Sequence, residues 1–224
     1  MNITTSLSPY KTLLRSLFWM LLLSVLPQTI IYIITRLNLL EPLNMVSVTA
    51  ITHKFGYGPG LIMIIVFAPV VEEFMFRAYL KYEVRSISIS ASLLSFFLIL
   101  LPGLALKVVN TYFLIAALFC SPLIFILCYR YIKKDENQSR LVYTYWSKHA
   151  NTIFHFSYLL FGAAHLTNYY DITKMQIILM PLILLPYFIY GYFLGKIRIE
   201  HGLLWSIQLH ILTNAFASIK LWAA

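Results

Sequence analysis

The stretch VFAPVVEEFMFRAYL, Val66 to Leu80, continues an apolar run that begins near Leu61, yet it carries Glu72, Glu73 and Arg77. Two adjacent carboxylates and a guanidinium in such a run need a reason, and the surrounding medium decides what the reason is. Of 224 residues, 60% are hydrophobic and only 11% are charged; the mean hydropathy is +0.79. An ordinary soluble domain does not have that balance, and several windows reach the length needed to cross a bilayer. The chain therefore reads as all-α, a polytopic membrane helix bundle, with 1–224 forming a single membrane-embedded domain.

About seven windows read as spanning helices: 16–35, 60–82, 91–108, 111–132, 150–168, 176–195 and 202–220. The first follows Lys11 and Arg15 as a signal peptide would. Its apolar part is long and lacks a clear small-residue cleavage site, so it reads as a retained helix. With the N-terminus inside, eleven Lys and Arg fall on the cytoplasmic side. Arg36, Lys54, Lys107, Lys174 and Lys220 fall opposite, which favours N-in. The net charge of +9 would suggest nucleic acid in a soluble protein. Here it fits loops facing anionic lipid, and no nucleic-acid partner is expected. Cys120 and Cys128 lie in one apolar window and read as buried thiols, not as a disulfide framework.

Of the eight acidic residues, only Glu72 and Glu73 lie well inside a span. Each ionised carboxylate there costs roughly 2.5–3.5 kcal/mol on insertion scales. Glu73 and Arg77 are spaced i, i+4 with the acid first, the favourable order for a helical ion pair. Glu72 is about 100° further round the helix and is available for a task. The structural alternative makes both acids part of bundle assembly. A second polar constellation is FGAAH, Phe161 to His165, where Gly162, Ala163 and Ala164 allow a neighbouring helix to approach. The third is HILTN, His210 to Asn214, whose i, i+4 spacing puts an imidazole and a carboxamide on one helix face. Alone, either could simply join helices. His155 is assigned no role.

Taken together and in order, Glu-Glu-x-x-x-Arg, Phe-x-x-x-His and His-x-x-x-Asn resemble the CPBP family. These are the CAAX prenyl proteases and bacteriocin-processing proteins, also called Abi. The approach GYFLGKIRIEHGLLWSIQLHILTN, residues 191–214, is also similar to the family's lead-in to its last motif. The family-like core is 60–82 and 155–216. An extra helical pair at about 91–132 lies between the first and second motifs, where family members commonly have a single helical hairpin.

The resemblance implies an intramembrane endopeptidase that hydrolyses a peptide bond of a membrane-associated protein or peptide. It implies that Glu72 and His165 hold and activate water, and that His210 and Asn214 support the oxyanion. Glu73 and Arg77 are then the structural pair holding the Glu72 helix, and Phe161 packs beside the site. A carboxyl in a low-dielectric site can work as base and then acid near neutral pH. No cofactor is favoured. Glu72, His165 and His210 could bind zinc and leave a position for water. Against that, there is no His-Glu-x-x-His motif, and Asn214 suits an oxyanion hole better. The resemblance also implies the bacterial inner membrane, and a role in bacteriocin immunity or processing. Two other readings stand beside it. One is a non-catalytic membrane scaffold or immunity protein, and the other a proton-coupled transporter using the intramembrane Glu, Arg and His. The transporter reading lacks an internal repeat and paired broken helices.

Overall fold

The computed structural model describes residues 8–45, 48–105 and 111–219. Lys107, Lys220 and the tails of the third and last predicted spans lie outside them. The described chain is an all-α polytopic bundle with no strand, only an isolated bridge between Met45 and Tyr169. Five helices are long and apolar enough to cross a membrane: Pro9–Arg36, Tyr57–Leu80, Val84–Pro102, Thr111–Ile132 and Lys174–His201. The two further predicted windows are occupied by shorter helices, Ala150–Ala164 and Leu203–Ile219.

By its internal contacts the chain divides into two compact units, Met1–Pro69 with Phe161–Ala224, and Val70–Leu160. In the first unit α1 (Pro9–Arg36) packs on α9 (Lys174–His201) and α10 (Leu203–Ile219). α1 starts before the apolar window because Pro9 occupies its first turn, where a missing N–H costs nothing. Its buried residues include Thr12, Ser16, Met20 and Ser24, one every four positions. Thr12, Ser16 and Ser24 face inward beside Leu13, Leu17 and Met20, while Leu14, Phe18 and Leu22 are exposed. Apolar residues gain nothing by leaving lipid, so packing of small residues decides which face is inside. α9 opens on a capping box: the Gln176 N–H donates to the Thr173 hydroxyl, and the Thr173 N–H donates to Gln176 Oε1. Gln176 Nε2 also donates to the carbonyls of Glu41 and Pro42, tying the 37–45 segment to α9. Gly191 and Gly195 are buried on α9, as residues that let helices pack closely are. Gly202, at φ 108°, turns the chain from α9 into α10 in one residue.

The same unit holds α2 (Val48–Phe55) and α3 (Tyr57–Ile62), which pack together. A π turn follows at Met63–Phe67 and leads into α4 (Ala68–Phe76).

The second unit is built on the paired helices α5 (Val84–Ala105) and α6 (Thr111–Ile132). α5 begins at Val84, several residues before the start predicted for the third window. Ser86, Ser88 and Ser90 resemble a polar break, yet each hydroxyl finds a partner within the protein. Ser88 donates to the Val84 carbonyl, Ser90 to that of Phe74, and Ser86 to Glu83 Oε2. α7 (Glu136–Lys148) fills the long polar connection; the Asp135 carboxylate caps it by accepting the Gln138 N–H at 2.7 Å. Tyr79, Ile87 and Ile132 form a buried cluster flanked by Cys128, Trp146 and Ile153. Cys120, expected to be buried, is exposed, and Cys128 is half-buried. An apolar window in a membrane protein keeps one face for lipid, so an apolar run alone does not bury a thiol.

Candidate active site

In the second unit α4 carries Glu72 and Glu73, and Arg77 follows directly after its last residue. Glu73 and Arg77 are completely buried, and Arg77 Nη1 lies 3.6 Å from Glu73 Oε1. The i, i+4 pair predicted from the spacing is therefore present. α4 ends at Phe76, and a 3₁₀ turn follows at Ala78–Leu80. The Ser157 hydroxyl donates to the Phe76 carbonyl at 2.5 Å and satisfies a carbonyl at the helix end. Glu72, one position before the paired glutamate, is half-buried.

In the first unit the structure gathers the second and third motifs. α8 (Ala150–Ala164) passes into a 3₁₀ turn at His165–Asn168. His165 Nδ1 lies 2.9 Å from the Phe161 carbonyl oxygen. A carbonyl can only accept, so Nδ1 carries the proton, and in the neutral ring Nε2 carries the lone pair. The buried Phe161 ring touches both histidines edge-on, with centroids 4.6 Å from His165 and 5.7 Å from His210. Gly162 makes the close approach that its small size suggested. A Cβ at this position would land on the ring of Phe188 in α9. On α10, His210 is buried, and Asn214, one turn further on, donates from Nδ2 to the Ile64 carbonyl at 2.9 Å.

Sequence reasoning missed two members of this cluster. Tyr187 of α9 stacks on the His165 ring at 4.1 Å and 25°. Tyr169, after the 3₁₀ turn, is half-buried; desolvation pushes its phenol well up, and the adjacent hydrogen-bonded Tyr187 hydroxyl adds to the effect. It therefore stays a neutral donor. Tyrosines within PYFIYG and TNYYD carry no periodic or motif signal, and only packing reveals their neighbours. His155, by contrast, pairs locally with the Tyr158 hydroxyl on an exposed face.

The first unit thus offers an imidazole whose Nδ1 is engaged by a carbonyl, a second buried imidazole and a carboxamide donor; the second unit, described by itself, carries the half-buried Glu72 carboxylate beside a buried ion pair. Among the described residues, no three His, Cys, Asp or Glu gather as a group that could hold a metal ion.

The family model described as type II CAAX prenyl endopeptidase, Rce1-like, matches residues 54–216. The match starts ahead of the π turn, takes in the three motifs, and runs through α5 and α6 between them. No curated protein and no solved structure matches the chain. Covering well over half of the sequence, the family match makes this chain a member of the Rce1-like family of type II CAAX prenyl endopeptidases, whose activity is that of intramembrane proteases.

Proposed function

We propose that the chain is a metal-free glutamate endopeptidase of the bacterial inner membrane, acting as a single membrane-embedded domain. Glu72 takes a proton from water as the water oxygen attacks the scissile carbonyl carbon. His165 orients that water through Nε2. His210 and Asn214 donate to the oxyanion, and Glu72 returns its proton to the leaving amine as the C–N bond breaks. The products are a carboxylate and an amine, and no other reactant is needed. Glu73 and Arg77 hold the helix that carries Glu72.

The observation that carries this assignment is the Nδ1 donation of His165 to the Phe161 carbonyl. It commits the ring to the tautomer that a water-holding imidazole needs, as backbone carbonyls commonly do for functional histidines. The substrate class follows from the family: a membrane-associated protein or peptide, with the C-terminal CAAX sequence as first candidate. A role in bacteriocin immunity or processing follows from the wider resemblance.

The test uses full-length protein in lipid nanodiscs and an internally quenched peptide ending in a prenylated CAAX sequence. Wild type cleaves it, Glu72→Gln does not, and His210→Ala is slower by roughly 10²–10³ in kcat. Equal cleavage by wild type and Glu72→Gln overturns the assignment. The unprenylated peptide, run alongside, reports whether the lipid is recognised.

A further inference from the structure

The turn before α4 contains a backbone carbonyl that the backbone cannot satisfy. In the π turn the Ala68 N–H donates to the Met63 carbonyl, five residues back. In that register the next bond would run from residue 69 to Ile64. Residue 69 is proline, which has no N–H to give. The alternative α partner of Ile64 is the Ala68 N–H, already used by Met63. The Ile64 carbonyl therefore has no backbone donor in either register. At 2.9 Å from it stands Asn214 Nδ2, brought from α10, 150 residues along the chain.

A π turn holds one residue more than an α turn, so every later residue is displaced by one position, about 100° round the helix. Glu72 and Glu73 follow this turn directly. For two adjacent glutamates, a displacement of one position exchanges one for the other. The turn thus sets which acid takes the Glu72 direction, while Glu73 and Arg77, four apart beyond it, are carried round together.

We propose that Asn214 is a positioning residue for the glutamate turn. Its carboxamide replaces the N–H that Pro69 lacks and so fixes the Met63–Phe67 π turn. An unbonded carbonyl in an apolar setting costs enough to drive the turn towards another register. A carboxamide has two N–H groups. One serves Ile64, and the other remains for the oxyanion role proposed above. The catalytic consequence rests on the reading of Glu72 as the base; the structural link between Pro69, Ile64 and Asn214 does not.

The experiment is a double-mutant cycle on the full chain in nanodiscs. Pro69→Ala restores an N–H that can reach Ile64, so Asn214 becomes less necessary. Asn214→Ala should lower Tm by roughly 2–6 °C with Pro69 present, and by roughly half of that or less in the Pro69→Ala background. Equal shifts in the two backgrounds overturn the proposal. If Pro69→Ala does not fold, Pro69→Gly restores the same N–H and is read the same way. A second readout separates positioning from packing. With the quenched CAAX peptide, Asn214→Ala should lower kcat more than it changes KM. Adding Pro69→Ala should return several-fold of that loss. An Asn214 that acts only on the oxyanion, or only by packing, gives no such rescue and overturns the proposal. The unfolding cycle needs no turnover, so a failure of the protease reading leaves it intact and distinguishable.

Discussion

At the scale of single residues, the two adjacent glutamates are separated by their partners. Glu73 lies completely buried with Arg77 at 3.6 Å, while Glu72 is half-buried. Replacing Arg77 by alanine leaves Glu73 uncompensated in an apolar setting. We expect this to lower stability by about 3–5 kcal/mol, measured as reduced abundance in membranes and a lower Tm. Tyr187→Ala removes the ring that stacks on His165. A stacked pair contributes about 0.5–1.5 kcal/mol, so kcat should drop a few-fold to about tenfold. Tyr187→Phe, which keeps the ring, should stay near wild type. If the phenylalanine variant is as slow as the alanine variant, the hydroxyl matters and not the stack. The i, i+4 pair Glu73–Arg77 was legible in the sequence because helix geometry alone places those groups together. The Tyr187–His165 stack was not, because it joins residues on different helices and involves an aromatic in an apolar run.

At the scale of elements, two features of the motif helices follow from the absence of an atom. Gly162 has no Cβ, and Phe188 occupies the space one would take. Gly162→Ala should therefore cost about 1–3 kcal/mol, as overpacking does. Gly162→Ala with Phe188→Ala should recover part of that loss, which thermal unfolding of the four variants would show. The small-residue run FGAAH pointed to this approach before the structure. Pro69 lacks an N–H, and a π turn stands in front of it. The sequence shows Pro69 plainly, but not that the chain passes it by widening a turn, nor that a distant asparagine completes it. The start of α5 was obscured for a related reason. Serines 86, 88 and 90 read as a polar break only if their hydroxyls need water, and in the helix they donate to Glu83, Val84 and Phe74 instead.

At the scale of the whole molecule, composition settled the medium and the helical class. Once the solvent is lipid, backbone groups must be satisfied internally, and helices do this within each segment. Where each helix ends was less legible, because hydropathy records apolar runs and not helices. α1 begins before its run, at Pro9, and α9 extends beyond its run to His201. The charge distribution yields a topology that can be checked. Single cysteines in the 133–135 connection should be labelled only from the cytoplasmic side, and cysteines near Arg36 only from the other; the reverse pattern would reject the N-in orientation. The central claim is that Glu72 makes this membrane protein a protease. It is tested most directly by comparing peptide termini in membranes of cells expressing wild type or Glu72→Gln at matched levels. New termini present with wild type and missing with Glu72→Gln are the predicted result, and their sequences would name the substrates. Identical sets of termini, with the quenched CAAX peptide also left uncut by wild type, would contradict the account and favour a scaffold or a transporter.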